Sequence, residues 1–580
     1  MTDLAATLRL AQTEQKRYGF TAAYREEPAL PSFEVRIVRG AIEIAAPNAL
    51  EYLYGVYDCA ERFFGWDFFE PGNDAFHPEL VRPLPPDGVA VPAVKPRLKH
   101  CGFIQEFPFD DNAEAVFDWM AKNKLNYLMV WMTFYDGLSQ ERKEFAAVRG
   151  IIIESGHHNF NYLIPPERYR DTHPEFFAKK AELGTNLAGM PVSEGQLCTT
   201  NPELRKELVK NLLAYRRAHP ELRYLALNPN DGFGWCRCPE CSKLYDPNRK
   251  GDTYSRSEKH YRAEKIFAQL IEAVSAGVHA EAPDTVLNFF AYVNYCAPAP
   301  GFKLRPGMGV HLALYWRCVN HEITDGECGI NSGYYRDILA WEAAKAGGLF
   351  NIYEYYMGIN FNLSLPMIHW EEMFHEFDFY AAHGVDGVFT QFSPEHWSVY
   401  GPNYLMMARA ARGENETEAL DGFFRRRFGA MEPVARSFYA DVRAMLHDMS
   451  DCHIPHSIAF LSRVDAARLD ALVPAAKKLS AACPLLPGRA LETWVEYMRR
   501  FKHMYDAAKS VPTPPDAVRE LLAWTLGQRE LKLFYESKFK TFFDAWVEDI
   551  ARYGDWHYFT ENDWFTEYDR HRALRRIAKD

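Results

Sequence analysis

The chain has no run of apolar residues approaching the roughly 20 needed to span a bilayer, so no helical membrane anchor is expected. It also has no long basic run. With 66 Lys and Arg against 78 Asp and Glu, the formal charge of -12 argues against nucleic acid or another polyanion, because phosphate binding calls for clustered cations. No G-x-G-x-x-G or Walker loop is found, which removes the usual signature of a nucleotide site. The start, MTDLAATLRLAQTEQKRYGF, lacks the charged head, apolar middle and small-residue cleavage site of a secretory signal. The expected compartment is therefore the cytoplasm, or the periplasm or exterior if a signal has been removed. The 11 cysteines are odd in number and irregularly spaced, which does not describe a disulfide framework. Low-complexity segments and internal repeats are absent as well.

Aromatic residues, in contrast, are plentiful. At 15% they are a surplus that a core alone could take up, but that also suits a pocket stacking flat faces on sugar rings or bases. Residues 1–95 read as a small α/β unit: FEVRIVRGAIEIAA (33–46) gives two short strands around Gly40, a helix follows from Asn48 to Phe64, and RPLPPDGVAVPAVKP (82–96) reads as an extended linker. From residue 98, eight short apolar segments recur: 98–107, 126–132, 150–156, 223–229, 286–295, 309–316, 348–356 and 387–393. They are mostly continuous rather than alternating, the pattern of strands buried on both faces of a parallel sheet. Amphipathic segments such as 113–124, 203–218 and 263–277 lie between them. The expected fold is an α/β protein with a (β/α)8 barrel over 96–404, in preference to an open doubly wound sheet. Residues 405–580 carry apolar positions at helical spacing and read as an all-helical domain.

In such barrels the chemistry sits at the carboxyl ends of the strands. The polar residues there are Glu106, Glu154, His157, His158, Asn230, Asp231, Asn294, Arg317, His321, Glu354 and Gln391, with Trp131, Trp235, Trp316, Tyr353, Tyr355 and Trp397 near the same rim. Carboxyl, imidazole and aromatic groups together fit sugar chemistry, in which two acids flank a glycosidic bond. Each has a plainer reading. Asp231, in N-P-N-D-G, could simply shape a turn. Glu354 interrupts the apolar run FNIYEYY, where an ionisable group seldom sits unpaired, so a structural ion pair with a helix residue is its rival role. His157 and His158 could be a loop pair satisfied by backbone carbonyls. Cys236, Cys238 and Cys241 are close enough to bind one metal, but structural zinc wants four ligands and a fourth would have to come from a distant Cys or His. The trio is read as thiols that shape the loop, with zinc as the alternative and no other cofactor expected. Cys318 and Cys328 could pair in an oxidising compartment.

Several segments, in order, carry a family resemblance: GHHNFNYLIPPERYRDTHPEFF (156–177), QLCTTNPE (196–203), NPNDGFGWCRCPEC (228–241), YWRCVNHEITDGECGIN (315–331) and NIYEYYMG (351–358). Together they resemble the bacterial proteins of glycoside hydrolase family 163. YLYGVYDCAERFFGWDFFEPGND (52–74) resembles the small domain that precedes the barrel in β-hexosaminidases and α-glucuronidases. The resemblance implies a retaining endo-β-N-acetylglucosaminidase acting on a glycan, with His157, Asn230, Asp231, Arg317, His321 and Glu354 at the matched polar positions. A 2-acetamido sugar suggests substrate-assisted hydrolysis, and the strand-end argument assigns Glu354 as general acid and Asp231 as the group that orients or stabilises the amide. In a direct double displacement, Glu354 would be the nucleophile and Asp231 the acid/base. The substrate-binding set expected around them is His157, His158, Asn230, Trp235, Arg317, His321, Tyr353, Gln391 and Trp397. Two other functions compete: a glucuronidase-like hydrolase gripping a uronate through Arg317, and a glycan-binding relative without catalysis. The partner expected is carbohydrate, with neither nucleic acid nor membrane, and the sequence does not indicate an oligomeric state.

Overall fold

The computed structural model describes residues 4–105, 108–179, 195–231, 234–245, 262–315, 317–356, 363–447, 464–508 and 515–534. The amino-terminal unit holds a four-stranded sheet in the order β1-β3-β2-β6, made of Ala22–Glu26 (β1), Glu34–Val38 (β2), Ala41–Ala46 (β3) and Ala90–Pro92 (β6). A separate hairpin joins Phe64–Glu70 (β4) to Asn73–Val81 (β5). Helix Ala49–Phe63 packs on this sheet and helix Leu4–Arg17 packs on that helix; the side chain of Asn48 caps the former by accepting from the backbone N–H of Leu50 and Glu51. One expectation needs correction here. The proline-rich stretch is not only a linker, because Ala90–Pro92 pairs antiparallel with β2; proline is tolerated at this position since β6 is an edge strand.

The eight apolar segments form a closed parallel barrel: His100–Gln105 (β7), Tyr127–Val130 (β8), Ile152–Ser155 (β9), Tyr224–Ala226 (β10), Val286–Ala291 (β11), Met308–Ala313 (β12), Leu349–Glu354 (β13) and Gly387–Gln391 (β14), with β14 pairing back to β7. The expected (β/α)8 architecture is thus the observed one, with a local departure. The β11–β12 connection carries only the 3-10 turn Val293–Tyr295. Phe302 covers the barrel where a helix would lie, packing on Phe289 and Trp341 at 5.9 and 5.8 Å between ring centres. The last barrel helix, Trp397–Ala411, runs through the boundary expected at 404–405, and all of its residues are buried.

Along each strand the side chains alternate between the barrel interior and the surrounding helices, and this decides what every candidate residue can reach. The lower interior is polar. Glu154 Oε2 accepts from Tyr127 Oη (2.5 Å) and Asn288 Nδ2 (2.5 Å) and lies 2.9 Å from His311 Nε2. Glu154 is fully buried here, so it builds the barrel floor rather than lining a mouth, as the strand-end reading had it.

Two indoles lock the amino-terminal unit to the barrel. Trp119 Nε1 and Trp397 Nε1 both donate to the carbonyl oxygen of Phe69, at 2.9 and 3.0 Å. Arg409, on the last barrel helix, grips Glu61 with both terminal nitrogens, one at 2.9 Å. Beyond the barrel lie helices Glu416–Phe428, Glu432–His447, Ala466–Ala482, Leu491–Ala508 and Pro515–Leu526. Among the described residues no helix is long and apolar enough to cross a membrane.

Candidate functional site

The site is assembled where β9, β10, β11 and β13 end. Gly156 turns the chain out of β9 at φ +138°, and a side chain there would meet Cβ of Ala226 on β10 at 2.7 Å, so glycine alone lets β9 and β10 run this close. The turn aims His157 inward. Its ring stacks on Trp131 at 4.7 Å and 27° and meets Phe290 edge-on at 5.0 Å. Burial, with His158 and His311 nearby, holds the His157 imidazole well below the ordinary histidine range, so it is a neutral group in the pocket wall.

The loops after β9 and β10 brace each other through amides. Asn159 Nδ2 donates to Ala226 O at 2.6 Å, and Asn228 N donates to Asn159 Oδ1 at 2.8 Å. Asn230 sits at the centre of a second set: its Nδ2 donates to Asn161 Oδ1 (2.9 Å), its N–H donates to Gln196 Oε1 (2.9 Å), and Gln196 Nε2 donates to its carbonyl (2.6 Å). Asn230 is therefore the strut of the loop, and this role presents the next residue, Asp231, at the mouth. The Asp231 side chain keeps 29% of its surface exposed. Tyr292 Oη donates to its Oδ1 at 3.5 Å, and His158 Nε2 stands 3.9 Å from the same oxygen. His158 Nδ1 lies 2.5 Å from the carbonyl oxygen of Pro229, which can only accept, so that nitrogen carries the proton.

From Asp231 a belt of phenol rings continues around the rim. Tyr292 meets Tyr315 at 5.6 Å, Tyr315 meets Tyr355 at 5.4 Å, and Tyr355 stacks on Tyr353 at 4.7 Å and 12°. Gln391 Nε2, from β14, donates to Tyr353 Oη at 2.8 Å. Directly after Tyr292, Val293 holds φ +47°, a strained setting for a β-branched residue that turns the chain sharply beneath the belt. His157, His158, Asn230, Asp231, Tyr353 and Gln391 thus converge as the strand-end reading expects. Glu106 and Trp316 lie outside the described residues.

Other expected members are elsewhere. Glu354 alternates with Tyr353 and Tyr355 and so faces away from the interior, toward helix Trp370–Ala382, with 0% exposure. Its Oε1 accepts from Arg317 Nη1 (2.6 Å) and from Tyr380 Oη (2.7 Å). Arg317 also binds Glu376, through Nη2 to Oε1 (2.5 Å) and Nη1 to Oε2 (3.0 Å), and Glu376 Oε2 lies 3.3 Å from His369 Nε2. This is a closed ionic cluster between barrel and helix, close to the plainer reading of Glu354, although its cation comes from a loop. Burial pushes Glu354 upward more strongly than Arg317 draws it down. In Glu376 burial is outweighed by Arg317 and His369, which hold its carboxyl well below the usual range. The expectation that Glu354 and Asp231 face one hollow is corrected: strand alternation turns Glu354 outward to helix Trp370–Ala382, whereas Asp231 sits on the loop after β10. Arg317 is likewise committed to two carboxylates and is not presented to a ligand.

The two tryptophans are also core residues. Trp235 is buried against Phe267 and Tyr295, and Trp397 is fully buried against Trp119. Apolar neighbours from the adjoining helix claim each ring. His321 is turned from the mouth, with its Nδ1 3.2 Å from Cys318 Sγ. Asn294 is buried, and its carbonyl accepts from Ala263 N at 2.8 Å.

The strand-end rule misses Tyr292, Tyr315 and Gln196. The two tyrosines follow β11 and β12 and could be found by extending that rule from charged groups to phenols. Gln196 opens the QLCTTNPE segment, far from any strand end, and only the fold reveals its role.

Solved structures show the same architecture at low identity. A family 89 glycoside hydrolase from Clostridium perfringens in complex with PUGNAc superposes with a TM-score of 0.57 at 10% identity, covering 98% of this chain and 69% of that one. The same enzyme family in complex with its substrate GlcNAc-α-1,4-galactose gives 0.56 at 11% identity over the same shares. A family 115 4-O-methyl-α-glucuronidase with specificity for decorated arabinogalactans gives 0.52 at 10% identity, covering 97% of this chain and 76% of that one. Among curated proteins none matches the chain. Residues 87–440, which include the whole barrel, match the family model described as "Domain of unknown function (DUF4838)", and the chain belongs to that family.

Proposed function

We propose that this protein is a glycoside hydrolase that cleaves a glycan at a 2-acetamido sugar, as the resemblance to glycoside hydrolase family 163 implies, using Asp231 at the barrel mouth. The observation that carries the proposal is the setting of Asp231: a part-exposed carboxyl braced by Asn230, hydrogen-bonded by Tyr292, beside His158, and opening onto a belt of rings. Phenol and indole faces bind the apolar faces of pyranose rings, while neutral donors such as Gln391 and His157 bind hydroxyls without demanding a charged ligand. Asp231 can orient the acetamide so that its carbonyl oxygen attacks the anomeric carbon, or it can protonate the leaving oxygen. The enclosure of Glu354 by Arg317 and Tyr380 speaks against it as the second acid. Glu106, a strand-end carboxylate in the sequence reading, is the acid proposed in its place.

The glucuronidase reading needs a cation for the uronate, and the strand-end arginine available for it, Arg317, is held by Glu354 and Glu376. The two readings separate in one experiment: the purified chain is offered 2-acetamido glycans and uronic-acid polysaccharides side by side, and reducing ends are counted. Release from the first set alone is expected. Release from the uronic set alone transfers the assignment to a glucuronidase. Retained binding with no release from either leaves a glycan-binding protein.

A further inference from the structure

Four cysteines lie outside the chemistry proposed above and close behind it. Cys236, Cys238 and Cys241 follow β10, and Cys198 comes from the segment before helix Pro202–Ala218, beyond the isolated bridge between Phe177 and Leu197. Their sulfur atoms all lie within 4.8 Å of one another. Cys198 Sγ is 3.7 Å from Cys238 Sγ and 3.9 Å from Cys241 Sγ. Sulfurs at the corners of a tetrahedron around zinc, with Zn–S about 2.3 Å, stand about 3.8 Å apart, whereas a disulfide requires about 2.05 Å.

Two further features set the cluster apart from thiols that merely fill a core. The first is what surrounds it. Among the described residues, Cys198, Cys236 and Cys241 form a small buried cluster of their own with Ala178 and Cys238, separate from the main hydrophobic core. The second is the set of donors aimed at sulfur. The backbone N–H of Lys179 and of Cys238 point to Cys236 Sγ at 3.3 and 3.4 Å, that of Cys241 points to Cys238 Sγ at 3.5 Å, and Thr200 Oγ1 lies 3.2 Å from Cys241 Sγ. Donors directed at sulfur suit the acceptor character of thiolates and keep four negative groups near one another. Cys238-Pro-Glu-Cys241 makes the tight turn that lets one short segment supply two ligands.

We infer that Cys198, Cys236, Cys238 and Cys241 form a tetrathiolate zinc site that fastens the Asp231 loop to the segment preceding helix Pro202–Ala218. The four-sulfur set is closed, so the ion is structural and takes no part in hydrolysis. Binding converts four thiols to thiolates, and the protons leave to solvent as Zn2+ enters. The ion would stand at the far end of the strut already described: Gln196, two residues before Cys198, holds both backbone groups of Asn230.

The test uses the full chain, purified under reducing conditions without chelator. Metal analysis is expected to give about one zinc per chain that is lost in Cys198→Ser and Cys238→Ser but kept in Cys328→Ser, which alters the separate Cys318, His321 and Cys328 group. Exchange with Co2+ is expected to give the visible bands of a tetrahedral cobalt tetrathiolate, and this reading on the unaltered chain stands even where a variant fails to fold. Chelation is expected to lower Tm. The inference is overturned if neither zinc nor cobalt is retained, if retained metal is insensitive to Cys198→Ser and Cys238→Ser while both fold, or if alkylation and mass analysis of the isolated chain show disulfides among these four residues. None of these readings depends on glycan turnover, so the metal site and the proposed activity fail separately.

Discussion

Nε2 of His158 stands 3.9 Å from Oδ1 of Asp231 while Nδ1 of the same ring is 2.5 Å from the carbonyl of Pro229. One nitrogen is fixed by the backbone, which leaves the other to exchange a proton with the carboxyl or with a bound hydroxyl. His158→Ala is therefore expected to lower kcat about 10- to 100-fold, a smaller loss than at a direct general acid. Steady-state kinetics with a thermal melt check this; unchanged kcat in a folded variant refutes the pairing.

Tyr292 contributes one hydrogen bond to Asp231 and a ring to the rim. Tyr292→Phe keeps the ring and loses the bond, worth about 1 kcal/mol, so a loss of roughly fivefold in kcat/KM is expected. Tyr292→Ala removes both and should raise KM as well. A phenylalanine variant as impaired as the alanine one would show that the hydroxyl, not the ring, carries the binding.

The tryptophans divide into two classes. Trp131 is half-buried and stacked on His157, so Trp131→Ala should weaken glycan binding by about tenfold or less with Tm nearly unchanged. Trp397 is fully buried and bonded to Phe69, so Trp397→Ala should cost about 3–5 kcal/mol of stability. Denaturant melts beside binding curves separate the two effects.

Arg317 stands between two buried carboxylates. Arg317→Met leaves Glu354 and Glu376 facing each other without a cation, and a loss of about 3–5 kcal/mol is expected in chemical denaturation. Glu354→Gln should change stability more than turnover. A folded, fully stable Glu354→Gln enzyme with abolished turnover would put this residue back among the catalytic candidates.

Acid should unfold the protein through its buried ion pairs. In Glu61 the effect of burial is outweighed by Arg409 and Arg426, which hold the carboxyl well below the usual range, and Glu376 behaves alike beside Arg317. A folded-state pKa below the unfolded value of about 4.3 means that this stability is complete above that pH and is lost as pH falls below it. Melts between about pH 5 and pH 3 should show Tm falling, with a shallower slope in Glu61→Gln. An equal slope would remove Glu61 from the cause.

The barrel was legible because parallel strands buried on both faces are written as mostly continuous apolar runs, and each of the eight segments holds a barrel strand, down to the three-residue β10. The edge strand Ala90–Pro92 was hidden because the prolines of the stretch around it mimic a linker. At the site, strand ends located His157, His158 and Asp231, but a residue at a strand end can face either side of the wall. Glu354 and Tyr353 differ by one position and point opposite ways, which composition cannot reveal. Trp235 and Trp397 were misplaced for a related reason: a tryptophan near the rim reads alike whether a helix or a ligand covers it. Cys198 is 38 positions before Cys236, too far for any spacing rule to join them.

Turnover of a 2-acetamido glycan by the unaltered chain and by Asp231→Asn, at matched Tm, tests the central claim most directly. The account predicts product from the first and a loss of about 100-fold or more in kcat from the second. An Asp231→Asn chain that folds and releases sugar at the unaltered rate would contradict it.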